Sequence, residues 1–169
     1  QSPLVERLAI APGNPGIAAL GECRDIKATD VPALVELARE VSADLVVVGP
    51  ESALAAGLAD ALAAVKIPCF GPMQKAAQLE SSKAFTKDFC QRHNIPTAAS
   101  QTFFDVVAAR EFLKSYNPPY VIKADGLAAG KGVAISPDYQ DAVAEVEAML
   151  GGRYGAASSQ IVIEEFMTG

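Results

Sequence analysis

The sequence predicts an α/β protein, with a doubly wound parallel sheet in its first half and a smaller α+β unit after it. Three observations carry this. The run Leu45-Val46-Val47-Val48 is continuously apolar and β-branched, as in strands covered on both faces of a parallel sheet. Short apolar runs alternate with helix-period segments from Leu8 to Gly71, the order that right-handed crossovers require. Later in the chain the pattern changes, and two short strands, Tyr120 to Lys123 and Val133 to Ile135, flank a loop of glycine and alanine.

Taken in order, Leu8 to Ala11 reads as a strand stopped by the turn-rich Pro12-Gly13-Asn14-Pro15-Gly16, and a second weak extended segment lies near Ile26. Asp30 can cap a helix whose apolar positions are Val31, Leu34, Val35, Ala38 and Val41, with Pro32 tolerated in the first turn. The strand at Leu45 to Val48 stops at Gly49-Pro50-Glu51. Leu54, Leu58, Ala61, Leu62 and Val65 line one face of a single expected helix, and Ile67 to Gly71 reads as the next strand. Ligands of such sheets bind beyond the carboxyl ends of strands, which makes Pro12 to Asn14 and Gly49 to Glu51 candidate site loops.

A helix follows from Ser82 to His93, with Phe85 and Phe89 on one face and Lys83 and Lys87 on the other, free to meet solvent or a ligand. His93 and Arg92 suit a helix C-terminus and read as structural. Gln101 to Phe104 reads as a strand and Val106 to Leu113 as a helix. Ser136, with Pro137 at the first position, can cap a helix striped by Tyr139, Ala142, Val143, Val146, Met149 and Leu150 and ended by Gly151-Gly152. Gly155 to Ser159 reads as a loop and Ile161 to Met167 as a last strand, in which Glu164 and Glu165 point to opposite faces.

Composition narrows the partners. Of 169 residues 50% are hydrophobic and 20% charged, and the net charge of -6 favours neither nucleic acid nor an anionic membrane surface, so small-molecule partners are expected. Cys23, Cys69 and Cys90 lack the number and spacing of a disulfide framework or a zinc site, which suits reduced thiols in the cytoplasm. No apolar run approaches the ~18 residues of a membrane span.

The loop after Tyr120 carries the chemistry. Glycine and alanine let backbone N–H groups approach a ligand and gather around an anion, and Lys123 and Lys131 would add full charges. It is not the Walker loop: Gly126 and Gly130 stand three residues apart, Gly132 takes the place of the magnesium-binding hydroxyl, and a strand follows.

Three segments together resemble the glycinamide ribonucleotide synthetase (phosphoribosylamine–glycine ligase) family of the ATP-grasp superfamily. They are Val47-Val48-Gly49-Pro50-Glu51; Phe70-Gly71-Pro72 with Ala76-Ala77-Gln78-Leu79-Glu80-Ser81-Ser82-Lys83-Ala84-Phe85; and Val121 through Val133, including Lys123-Ala124-Asp125-Gly126-Leu127-Ala128-Ala129-Gly130-Lys131-Gly132. Pro12-Gly13-Asn14 and Ile163-Glu164-Glu165-Phe166 agree in order and spacing. The resemblance implies a Rossmann-like N-terminal, substrate-side domain over 1–79, a connecting helix over 80–98 and the small ATP-grasp subdomain with its nucleotide flap over 99–169. It implies ATP-dependent joining of glycine to 5-phosphoribosylamine through a glycyl phosphate, with Mg2+ or Mn2+.

Carried over by position, Lys83, Lys123, Gly126, Gly130, Lys131 and Gly132 match phosphate-contacting lysines and flap, and Glu164, Glu165 and Met167 match the strand that reads adenine. Gly49, Pro50 and Glu51, with Gly13 and Asn14, match loops near the phosphoribosylamine. No catalytic residue is assigned, and no metal ligand is expected within this chain. The family opens with a strand and a glycine-rich loop that have no counterpart here, and its magnesium-binding Glu and Asn lie further on. The resemblance therefore implies a parent polypeptide roughly two and a half times as long, and a piece without ligase activity of its own. Another ATP-grasp carboxylate–amine ligase, or a nucleotide-binding piece without turnover, would share Lys83, Lys123 and the loop.

Overall fold

The computed structural model describes residues 2–168, which fold into two units that part between Ala77 and Gln78. In the first, β1 (Ala9–Ile10) pairs in parallel with β2 (Glu22–Cys23), and β3 (Val46–Val47) pairs in parallel with β4 (Cys69–Phe70). The helices are α1 (Val31–Glu40), α2 (Glu51–Ala55) and α3 (Leu58–Ala64), followed by α4 (Gln74–Ser81), which straddles the division. Asp30 caps α1, its carboxylate accepting from Ala33 N at 3.2 Å, with Pro32 in the first turn. Leu62 and Leu58 of α3 pack with Ala38 of α1 and Ala53 of α2 to form the core of this unit.

Four expectations change here. The parallel pairing is as expected, but the strands form two separate pairs rather than one continuous sheet. Leu45 and Val47, two residues apart and so on the same side, are 56% and 67% exposed, which leaves one face of this pair uncovered rather than both faces buried. The helix expected from Leu54 to Val65 is two helices, since the chain turns at Gly57, where φ is +93° and a left-handed conformation breaks the helical path. The helix α4 follows a mixed polar stretch whose periodicity gave no warning of it.

The second unit is an antiparallel sheet in the order β5-β8-β6-β7, with two helices packed on one face and a third that reaches Glu164 on the other. Its strands are β5 (Ser100–Phe103), β6 (Tyr120–Ala124), β7 (Val133–Ser136) and β8 (Ile161–Glu164), and its helices α5 (Lys83–Arg92), α6 (Val106–Lys114) and α7 (Tyr139–Ala148). Ile122, Ala124, Ile161 and Ile163 point to α6 and α7 and bury against Leu113, Ala109, Val146 and Met149. Period-two alternation then sends Val121, Lys123, Val162, Glu164, Val133 and Ile135 to the other face.

Asp138, not Ser136, caps α7: its carboxylate accepts from Asp141 N at 3.0 Å, while Ser136 stays in β7 opposite Tyr120. The helix runs past Ala148 into a π-turn, Met149–Arg153, where Gly152 has φ +96°. Gly155–Ser158, expected as loop, forms a 3-10 turn, and β8 stops at Glu164 rather than Met167. His93 ends α5 and rests on Phe89 with ring centroids 4.4 Å apart, a structural place as expected.

Candidate functional site

The sheet face turned away from α6 and α7 concentrates its charge on β6 and β8 and is exposed along β7. Glu164 is only 5% exposed, and its Oε2 lies 2.9 Å from Lys123 Nζ and 3.3 Å from Lys87 Nζ. A carboxylate so buried is stable only when paired, and two ammonium groups share it. Lys87 also donates to Thr97 Oγ1 and to the Ala98 carbonyl, both at 2.9 Å. The sequence reading left Lys87 free for solvent or ligand; its three donors are instead used inside the unit. Lys123 gives one proton to Glu164 and keeps the rest for a partner on the open face.

Lys83 is not free either. It opens α5, and its Nζ donates to the carbonyls of Asp125 and Gly126, each at 3.2 Å. Burial holds its pKa below the ordinary lysine value; the charge of Lys123 adds to this and the Asp125 carboxylate opposes it. One of its protons is left for a ligand. The cationic pair Lys83 and Lys123 thus stands at the point where β6 gives way to the glycine loop.

That loop is pinned at both ends. At its root, Gly126 N donates to the Ala157 carbonyl at 2.8 Å, and a Cβ on Gly126 would stand 2.8 Å from Ala157 Cα. At its tip, Lys131 N donates to the Ala128 carbonyl at 2.9 Å across Ala129 and Gly130, whose φ values of +49° and +76° are those of a primed turn. Gly132 is buried, and an added Cβ would lie 2.7 Å from that of Ala128. The Lys131 carbonyl accepts from the Tyr154 hydroxyl at 2.6 Å, while its side chain is exposed.

Beyond β8, Glu165 is exposed, its N donating to the Ala99 carbonyl at 2.9 Å and its carboxylate accepting from Ala99 N at 2.8 Å. Met167 is 65% exposed. In the first unit, Gly13 (φ +80°) and Asn14 follow β1, and Asn14 Oδ1 accepts from Ile17 N at 3.0 Å. Gly49 lies just beyond β3, Pro50 stands at the N-cap position of α2 without a side-chain capping bond, and Glu51 opens the helix. A cavity of about 320 Å3 in this unit reaches Ala11, Gly49 and Pro50. The structure therefore gathers Lys83, Lys123, Gly126 and Glu164 into one cluster, while Gly13, Asn14 and Gly49 to Glu51 belong to the other unit. Among the described residues no three His, Cys, Asp or Glu side chains come together as a metal site.

Sequence reasoning missed several members of the cluster. Asp125, 8% exposed, sits between Lys83 and the loop, and Gln160 Nε2 donates to it at 2.8 Å. Val133 and Ile135, 47% and 59% exposed, form an apolar shelf beside Lys123 on the same face. The alternation of β7 could have revealed the shelf. Nothing in the local sequence could have paired Asp125 with residues 35 and 43 positions away.

Residues 1–80 match the family model for the phosphoribosylglycinamide synthetase N domain, and residues 81–169 match that for its ATP-grasp (A) domain. A phosphoribosylamine–glycine ligase of Caulobacter vibrioides is 66% identical over the whole chain, and one of Phenylobacterium zucineum is 58% identical over 99% of it. In each case the chain spans 40% of the relative's length. The crystal structure of phosphoribosylamine–glycine ligase from Thermotoga maritima superposes with a TM-score of 0.74 at 28% identity, covering 96% of this chain and 38% of that one. The fold alone is shared with N5-carboxyaminoimidazole ribonucleotide synthetase from Thermus thermophilus, at a TM-score of 0.67 and 21% identity over 93% of this chain and 39% of that one. Matched from end to end by the two consecutive family models, the chain belongs to the phosphoribosylglycinamide synthetase family.

Proposed function

We propose that the parent protein joins glycine to 5-phosphoribosylamine at the expense of ATP, and that this chain supplies one wall of the nucleotide site. The observation that carries the reading is the pairing of Lys83 and Lys123 at the root of the glycine loop, beside an apolar shelf. The names of the relatives, phosphoribosylamine–glycine ligases, support the choice of substrates.

In this reading adenine lies against Val133 and Ile135 and is read by backbone groups from Glu164 to Met167. The phosphates meet Lys83, Lys123 and the loop N–H groups between Leu127 and Gly130, those of Gly126 and Lys131 being engaged by the Ala157 and Ala128 carbonyls, with the Lys131 ammonium added as the loop closes. Phosphoryl transfer to the glycine carboxylate leaves negative charge on the oxygens in flight, and fixed cations and N–H donors stabilise that charge without acid or base chemistry. The amine of phosphoribosylamine then displaces phosphate from the glycyl phosphate to form the amide. Gly49, Pro50 and Glu51, with Gly13 and Asn14, serve the phosphoribosylamine side.

The divalent cation, magnesium or manganese, is assigned to carboxylates outside this chain. The net charge of -6 fits small-molecule partners rather than nucleic acid or anionic membrane. Among the described residues no helix is long and apolar enough to cross a membrane, and we place the protein in the cytoplasm.

The test is ADP release by the whole natural protein. It is expected to require glycine and phosphoribosylamine together, and Lys123→Ala is expected to weaken ATP binding by at least tenfold, about 1.4 kcal/mol. Stimulation by a different carboxylate and amine, with none by this pair, would reassign the substrates.

A further inference from the structure

The Asp125 carboxylate accepts hydrogen bonds from three residues in two separate segments. Ser82 Oγ lies 3.1 Å from both of its oxygens, Ala84 N donates to Oδ1 at 2.7 Å, and Gln160 Nε2 donates to Oδ2 at 2.8 Å. The backbone of Asp125 repeats the pattern. Its carbonyl accepts from Lys83 N and Nζ, each at 3.2 Å, and its N–H donates to the Gln160 carbonyl at 3.2 Å. One residue thus ties the first turn of α5, the end of β6 and the start of β8 to one another.

The placement of the charge is specific. Ser82 is the N-cap of α5, with its Oγ accepting from Phe85 N at 3.1 Å, and Asp125 takes the next donor, Ala84 N. A carboxylate at a helix N-terminus is favoured by the helix dipole, and here it belongs to a residue 41 positions further along the chain. The lysine between the two tethers, Lys83, is thereby held with its ammonium over the loop root. Without the tether, Lys83 keeps its long stem but loses the fixed point from which the stem extends.

We propose that Asp125 is a positioning residue for nucleotide binding, acting through Lys83: it locks the N-terminus of α5 onto the root of the glycine loop so that the Lys83 ammonium faces the phosphate position. This rests on the proposed nucleotide site. A merely structural carboxylate would affect stability without regard to Lys83, whereas a positioning one loses its effect when Lys83 is gone.

The experiment is a double-mutant cycle in the whole natural protein, with ATP affinity measured by calorimetry for Asp125→Asn, Lys83→Ala and the pair. Each single variant is expected to bind ATP about tenfold more weakly, and the double variant no more than about twofold more weakly than Lys83→Ala alone. Unchanged affinity in Lys83→Ala would overturn the nucleotide reading. A normal Lys83→Ala loss with Asp125→Asn within about twofold of the parent, or with losses that multiply, would overturn the positioning role alone. Residue-resolved acylation provides a readout that needs no nucleotide: Lys83 is expected to react at lower pH in Asp125→Asn, and an unshifted profile counts against the coupling. If Asp125→Asn does not fold, Ser82→Ala carries the same cycle with an expected loss of about fivefold, and additivity with Lys83→Ala again overturns the role.

Discussion

Lys123 and Glu164 pair at 2.9 Å across two antiparallel strands, although the register sets Lys123 opposite Val162 and Glu164 opposite Val121. The contact is diagonal, within reach of a long lysine stem, and it leaves Lys123 leaning along the open face. Removing the carboxylate would strand two ammonium groups beside each other. Glu164→Gln is expected to cost about 2–4 kcal/mol in urea denaturation, nearer the lower end because Lys123 is 26% exposed and retains water. A cost below about 0.5 kcal/mol would mean that the pair is no stronger than a surface contact.

The loop glycines should separate by mechanism. Gly126→Ala places a methyl against the Ala157 backbone and should cost about 1–3 kcal/mol, with faster amide exchange from Gly126 to Ala157. Gly130 has open space around it and a φ of +76°, so Gly130→Ala should cost about 1 kcal/mol through backbone strain alone. Ala129→Gly relieves the same strain and should be neutral or stabilising.

Lys83 should declare its burial in its titration. Its folded pKa lies below 10.5, so between that lowered value and 10.5 the unfolded chain holds more protons. Stability linked to this group therefore rises with pH across that alkaline window, and below it the charged form carries the full desolvation cost. Acylation followed by mass spectrometry should find Lys83 reacting with a midpoint at lower pH than a lysine in an unstructured peptide. A midpoint equal to or above the peptide's would contradict the burial.

On the far side of the sheet, Leu113 is wholly buried among Ile122, Ile163 and Met149. Leu113→Ala should destabilise by about 2–5 kcal/mol, through lost contacts and the cavity left behind. Because the side chain faces away from Lys123, ATP affinity measured well below the melting temperature should be unchanged.

Helix capping distinguishes two residues that the sequence leaves hard to separate. Asp138→Ala should cost about 1 kcal/mol, since its carboxylate holds Asp141 N at 3.0 Å. Circular dichroism of thermal unfolding would measure it.

Local pattern alone identified the α/β order, the hairpin around the glycine loop and the helices at Val31, Lys83, Val106 and Tyr139, because each depends on periodicity and caps a few residues apart. It also singled out Lys123, Lys131 and the loop from Gly126 to Gly132, where residue type and phosphate chemistry coincide, whereas Lys83 stood apart from Lys87 only through the family resemblance. Tertiary structure decided the rest. Whether Lys87 met solvent or Glu164 depended on where β8 lies against α5, and the break at Gly57 depended on a conformation that spacing does not encode. Asp125 shows the difference most plainly: its sequence neighbours mark it as a loop residue, but its partners are Ser82, Ala84 and Gln160, brought together only when strand and helix dock. The physical reason is that a buried carboxylate must find donors wherever the fold supplies them, and those donors are set by contacts across tens of residues.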